Sequence, residues 1–242
     1  MDYLTALESD YHRLAQVTGG DQSAKVPSCP EWTVRDLVDH VAHVYLHKVQ
    51  CMRLNALPKP WPPEPTGETP TQLLQRGYAE LAAEFAARAP QAPAATWFEP
   101  DNTVGFWRRR MAHETVIHRV DAELAAGVPS ERISDELAFD GIDEVLVVFL
   151  AWSSRKWADE FTEELSKGDG SVLVAGRWLV SWGSSTGIVV SEASAGGDAA
   201  VSGSPESVLL WLWRRADDEA VHVAGDRAKV AQMRELLRIA TQ

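Results

Sequence analysis

Cysteine is nearly absent: Cys29 and Cys51 are the only two in 242 residues. That is too few for a disulfide framework at this length, and neither sits in a paired zinc-ligand spacing. Both are expected to be reduced, packed thiols. Cationic charge is also scarce. Against 35 acidic residues stand 23 Lys and Arg, a formal net charge of −12, so the overall field repels polyanions. No basic stripe with interleaved aromatics is present, which argues against nucleic-acid binding. Long apolar runs are missing too. The opening "MDYLTALESDYH" has no cationic stretch leading into an apolar one, and no window approaches the roughly 20 residues of a membrane span. A cytoplasmic location is the expectation. What remains, 45% hydrophobic and 24% charged residues, is the composition of a folded globular chain.

Periodicity divides the sequence into two parts. Leu4, Leu7, Tyr11 and Leu14 recur at helical spacing up to "TGG", where Gly19 and Gly20 are expected to close a first helix. After "KVPSCPEW", read as a connection, Thr33 and Asp36 form an N-terminal capping signal. Val34, Leu37, Val41 and Val44 then carry a second helix towards Met52. The proline-loaded "ALPKPWPPEPTGETP" is an extended link. Leu74, Tyr78, Leu81 and Phe85 mark a third helix, and a fourth runs from near Phe106 to Gly127 and Pro129. Four such helices predict an antiparallel bundle over residues 1–129. Residues 130–242 read differently. One long helix, about Asp135 to Ser166, is followed by the short strands "SVLVAG", "RWLVSWG", "GIVVSEA" and "AAVSG". A helix capped by Ser204 and Pro205, the strand "VHVAG" and a closing helix complete the chain. The fold class is α+β, a helical bundle followed by a smaller α+β domain.

The fourth helix carries an anomaly. At about 100° per residue, the stripe that begins at Trp107 passes through Met111, Glu114, His118 and Ala125, with Ile117 and Asp121 to one side. Arg109, His113, Val116 and Val120 fall on the other side. A carboxylate and an imidazole thus interrupt an apolar line, and an unpartnered buried carboxylate costs several kcal/mol, on the order of a domain's whole margin of stability. Two readings satisfy it. In one, Glu114 bonds to His118 or to a neighbouring Arg. In the other, the i, i+4 pair holds a metal, since carboxylate and imidazole suit zinc, with a third ligand from another helix. The second helix offers His40, His43 and His47; His40 borders the apolar arc, whereas His43 and His47 turn towards the polar side.

The segments "VPSCPEWTVRDLVDHVAH" and "RRMAHETVIHRVDAELAAG" carry a resemblance. Together they resemble the mycothiol-dependent maleylpyruvate isomerase family of actinobacteria, a branch of the DinB-like metal-binding four-helix bundles. The later "AAVSGSPESVLLWLWRR" is similar to the family's second domain, which resembles sterol carrier protein type 2 folds. The resemblance implies a divalent metal, usually zinc, held by His40, Glu114 and His118. Three protein ligands leave a fourth position open, the arrangement of a catalytic zinc. It implies mycothiol as the thiol cosubstrate, activated as a thiolate for addition to an electrophilic small molecule, with the outcome either isomerisation or S-transfer.

Accessory residues follow from position. Asp121, one turn past His118, can orient a ligand ring or bind the sugar-like part of a thiol. Arg110 leans inward, and the resemblance implies a catalytic Arg near the closing region of the second domain, for which Arg214 or Arg215 can stand, with Arg215 taken as the candidate. Solvent-facing or salt-bridging roles compete for each. His113 points away from Glu114, and Cys29, with no base nearby in sequence, is assigned to packing. The alternatives to the thiol enzyme are a zinc hydrolase, in which water replaces the thiol, and a non-catalytic module whose C-terminal domain binds a lipid-like molecule. Expected partners are a small thiol and an electrophile, with neither nucleic acid nor membrane; the chain is expected to be a monomer or homodimer.

Overall fold

The computed structural model describes residues 1–241 and separates into two compact units, Met1–Glu131 and Arg132–Gln242. The first opens with α1 (Tyr3–Val17), capped by the Asp2 side chain, which accepts from the amides of Leu4 and Thr5. The helix ends at Thr18 in a right-handed conformation, its amide returning to Leu14. The glycine cap expected from Gly19 and Gly20 is therefore not used, and both glycines lie beyond the cap. The segment read as a plain connection contains a small antiparallel hairpin, β1 (Lys25–Val26) and β2 (Cys29–Thr33). Next comes α2 (Val34–Leu54), entered through the expected capping box: the Thr33 amide donates to Asp36 at 2.8 Å, and Asp36 returns its own amide to the Thr33 hydroxyl. The proline-rich link leads to α3 (Pro70–Ala87), whose cap is the analogous Thr69 and Gln72 pair. The bundle closes with α4 (Val104–Ala126), which starts two residues before Phe106 because the Thr103 hydroxyl caps the Phe106 amide. It ends at Gly127, whose φ of 63° is the left-handed geometry that glycine tolerates.

The packing of α4 departs from that of an amphipathic surface helix. It lies against both α1 and α2, while α2 also packs on α3, and α4 is buried around nearly its whole circumference from Arg110 to Glu123. The side carrying His113, Val116 and Val120 is core, not solvent; the His113 ring meets the edge of Tyr3 from α1. The charges of Arg119 and Glu123 survive within α4 because each finds partners. Arg119, 1% exposed, donates to Asp10 at 2.9 Å, to Glu123 at 2.7 Å and to the Glu131 carbonyl at 2.7 Å. Glu123, fully buried, also accepts from Arg13 at 2.8 Å. This closed network ties α1 to α4 at one end of the unit.

In the second unit the single helix expected over Asp135–Ser166 is interrupted. It begins as α5 (Asp135–Asp143), widens into a π-helical stretch (Glu144–Trp152) along the apolar "EVLVVFLAW", and tightens again in α6 (Ser153–Lys156). Trp157 then leaves helical geometry, with φ −123° and ψ 52°, before α7 (Ala158–Leu165). The strands fall on the short segments read as strands, as β3 (Gly170–Val174), β4 (Trp178–Gly183), β5 (Gly187–Glu192) and β6 (Ala199–Ser202). After them come α8 (Pro205–Leu212), a 3₁₀ turn (Asp218–Ala220), β7 (His222–Gly225) and α9 (Arg227–Ala240). The sheet order is β5-β4-β3-β6-β7, antiparallel except where β3 meets β6. Val172, Val174, Val180 and Ile188 sit in the core, covered by helices that include α9. The α+β class expected from the pattern is the fold observed. Among the described residues no helix is long and apolar enough to cross a membrane.

The Arg119 network gives a stability prediction. Glu123→Ala leaves a buried guanidinium short of its carboxylate, so unfolding in urea should lose about 3–5 kcal/mol, whereas removing the exposed Glu235 from its pair with Arg238 should cost less than about 1 kcal/mol.

Candidate metal centre

Two helices and the hairpin build the site. His40 lies two turns into α2, and Glu114 and His118 stand one turn apart on α4. Because α2 and α4 pack side by side, their side chains converge. Nε2 of His40 is 3.2 Å from Oε1 of Glu114, and Nε2 of His118 is 3.2 Å from the same oxygen. The two rings meet edge to face, with centroids 5.0 Å apart. One donor atom from each residue lies within 4.8 Å of the others, and among the described residues this is the one group of three or more such side chains so gathered. Donors bound to a tetrahedral zinc at about 2.1 Å stand about 3.4 Å from one another. The two 3.2 Å separations from Glu114 and the chemistry of the donors, two imidazoles and a carboxylate, fit that ion.

Each ligand is held from behind. Arg110, one turn before Glu114, donates through Nη2 to Oε2 and leaves Oε1 to the imidazoles. Asp121 stands 2.9 Å from Nδ1 of His118 and accepts through its other oxygen from the Ser28 hydroxyl. A proton on Nδ1 shared with Asp121 leaves the Nε2 lone pair aimed at Glu114 and His40, the tautomer a metal requires. Trp32, from β2, covers His40 with ring centroids 4.8 Å apart and reaches His118 at 6.2 Å. Ser28 and Trp32 were missed as site residues because "KVPSCPEW" reads as a link. The available signal was their place inside "VPSCPEWTVRDLVDHVAH", the segment that carries the resemblance and also holds His40.

The electrostatics follow from this packing. Burial pushes the Glu114 carboxyl upward, but the charge of Arg110, then His118 and the hydrogen bonds from both imidazoles, outweigh it and hold the group well below the usual carboxylate range. Burial likewise opposes charge on His118, yet the Glu114 and Asp121 carboxylates prevail and raise it to about 9. With its value near 9, His118 holds a proton at neutral pH that any cation bound at this candidate centre would have to displace.

The remaining candidates lie apart from this cluster. His43 turns back to the carbonyl and carboxylate of Asp39, at 2.9 and 3.2 Å, and His47 packs on Trp61 with its Nδ1 3.4 Å from the Cys51 sulfur. Burial raises the Cys51 thiol to about 11, which removes it as a nucleophile; Cys29 is half-buried. Arg215 belongs to the second unit, where its Nη1 donates to the Trp213 carbonyl at 2.8 Å.

Comparison with protein families matches residues 5–123 to "Mycothiol maleylpyruvate isomerase N-terminal domain" and residues 136–232 to "MDMPI C-terminal domain". No curated protein matches the chain. Among solved structures, the crystal structure of the mycothiol-dependent maleylpyruvate isomerase aligns with a TM-score of 0.61 at 15% identity, covering 93% of this chain and 92% of that one. The structure of a histidine-to-alanine mutant aligns with the same score and coverage at 14% identity. At such identities the likeness establishes a shared fold.

Two predictions arise here. His118 is raised from 6.5 to about 9. Its ion pair with Glu114 thus supports the metal-free fold fully below about pH 6.5 and ceases to do so as pH climbs through about 9. A cation must displace that proton, so zinc affinity measured calorimetrically should rise about tenfold per pH unit across this window, with proton release visible as a dependence on buffer ionisation heat. Replacing the orienting group, Asp121→Asn, should weaken zinc binding about 10–100-fold while the far-ultraviolet circular dichroism stays unchanged.

Proposed function

The chain belongs to the mycothiol maleylpyruvate isomerase family, and from that premise we propose that it is a metal-dependent enzyme that uses mycothiol as a nucleophile on an electrophilic small molecule. The observation that carries the reading is the meeting of His40, Glu114 and His118 within 4.8 Å of one another. His40, Glu114 and His118 would hold a divalent ion, zinc by the nature of the donors, and when bound it supplies a Lewis-acid position that favours thiolate over thiol near neutral pH.

The chain's own residues prepare this chemistry. Asp121 keeps the proton on Nδ1 of His118 and so fixes the ring. Arg110 fixes Glu114 and offsets its charge, which lessens the repulsion an incoming sulfur anion meets. Trp32 covers the two imidazoles and excludes water from one side. The organic step is a conjugate addition. Sulfur bonds to one alkene carbon of a cis-enone or cis-enoate while the π pair moves onto the conjugated carbonyl oxygen. The former double bond rotates, and the pair returns to expel sulfur and leave the trans-alkene. Nothing is gained or lost, so the thiol is regenerated. Where the adduct is protonated on carbon before sulfur departs, the same first step ends as S-transfer.

The test is direct. Protein purified without chelator should carry close to stoichiometric divalent metal and should turn over a cis-alkene only when mycothiol is added. His40→Ala, Glu114→Ala and His118→Ala should each lose the metal and at least about a hundredfold in rate, in line with removal of a group acting on the transition state. Turnover of an ester or amide without any thiol would instead establish the hydrolase, and protein free of metal with no thiol-dependent turnover would remove the proposal.

A further inference from the structure

The seam between α2 and α4 holds one cation that the centre described above does not use. Lys48 follows His40 on α2 and Trp107 precedes Glu114 on α4, each standing roughly 10–12 Å along its helix axis from the metal ligands. Lys48 is half-buried. A lysine on a bundle helix ordinarily lays its stem along the apolar surface and extends its ammonium into water. Here Nζ sits 4.9 Å from the centroid of the Trp107 ring, a fully buried side chain, and donates to Nδ1 of His47 at 3.3 Å.

The groups around this ammonium leave its charge unmatched. Burial, with the charge of Lys48 added, pulls His47 down to about 4, so the ring that accepts from Nζ is neutral. The Cys51 thiol, 3.4 Å from the same His47 nitrogen, is pushed up to about 11 by burial and keeps its proton. Among the described residues no carboxylate lies within ion-pair distance of Nζ. Glu114 attracts it from farther away, but Arg110 and the two imidazoles already engage both Glu114 oxygens. Burial draws Lys48 down to about 8, with Glu114 and Cys51 opposing and Arg110 assisting, so most of it is still charged at neutral pH. A shielded cation with unused donors and no anion of its own favours a ligand that brings one. The chain carries a net charge of −12, a field that opposes anions in general, so holding one requires a local cation of this kind.

We propose that Lys48 is a specificity-determining residue, which receives a carboxylate at the end of the electrophile remote from the carbon that sulfur attacks. This rests on the thiol reading above and adds to it the choice of acceptor. The dimensions agree. A thiolate on zinc stands about 2.3 Å from the ion. An acceptor whose acid group lies about three carbons beyond the attacked one spans most of the remaining separation, and the flexible lysine stem closes the rest. Arg110 does not compete for this part, because it is committed to Glu114. A neutral acceptor leaves the ammonium as unmatched as before, so the selection is for anionic over neutral electrophiles.

The experiment uses the full chain with its metal and mycothiol, and two acceptors that differ in one group: a cis-enone bearing a propanoate on its β-carbon, and the same enone bearing the propanamide. Lys48→Met should raise KM for the acid about 10–100-fold, the loss of one charge-assisted contact, with kcat and the turnover of the amide little changed. Lys48→Arg, which keeps the charge, should recover most of the loss. Acid and amide impaired alike, as a purely structural role for Lys48 would cause, or a KM for the acid unmoved in Lys48→Met, would overturn the proposal. Lys48→Gln carries the same comparison if the methionine variant does not fold. If the unmodified protein turns over neither acceptor with mycothiol, the thiol reading fails, and calorimetric titration of the acid decides this proposal separately. Binding that weakens by the same factor in Lys48→Met and returns in Lys48→Arg supports it; no binding, or equal affinity in the unmodified and Lys48→Met proteins, overturns it.

Discussion

A carboxylate enclosed by a helical bundle is tolerable only when its charge is met, and at Glu114 both oxygens are engaged. Arg110 takes one, and the imidazoles of His40 and His118 crowd the other. The rest of the site hangs on this arrangement. The arginine fixes the carboxylate, and the carboxylate draws together rings from two helices. Asp121, steadied by Ser28, then sets the tautomer of the second ring. Without that chain of contacts α4 would present a desolvated charge to α2, at a cost comparable to the whole stability of a domain.

The same helix carries a second ionic system, and the contrast between the two is informative. Around Arg119 each charge is answered within the protein, by Asp10, Glu123 and Arg13, and the central pair of Arg119 and Glu123 is almost wholly buried. Such a network joins helices and offers nothing to a ligand. Around Glu114 the donors share one small volume and one of them, His40, remains reachable. Closed pairing holds the architecture, and incomplete enclosure leaves room for chemistry.

The hairpin of β1 and β2 links the two themes. Short as it is, it delivers Ser28 behind Asp121 and Trp32 over both imidazoles, and then enters α2 through the Thr33 cap, so one local motif sets both the start of the helix that carries His40 and the cover of the candidate metal centre. Trp32 also forms a wall of the cavity beside His40. A residue that reads, by local pattern, as part of a loop-like stretch thereby shapes the approach to the centre.

Much of this was legible in the chain itself. Period, caps and prolines located the helices and strands to within a few residues, because those signals act between near neighbours. The i, i+4 relation of Glu114 and His118 followed from helical geometry alone. Other features were hidden from such reasoning. The π-helical stretch and the break at Trp157 depend on how an evenly apolar segment packs, and apolar periodicity is silent where every position is apolar. That α4 would be buried on both sides depended on α1 and α2 enclosing it. The apolar arc of α2 already favoured His40 over His43 and His47, but that its ring would meet Glu114 depended on how α2 packs on α4. The linear chain could nominate donors because their spacing is a local property; their convergence, the partners that hold them and the opening beside His40 are distances between remote segments, and only the folded chain sets those.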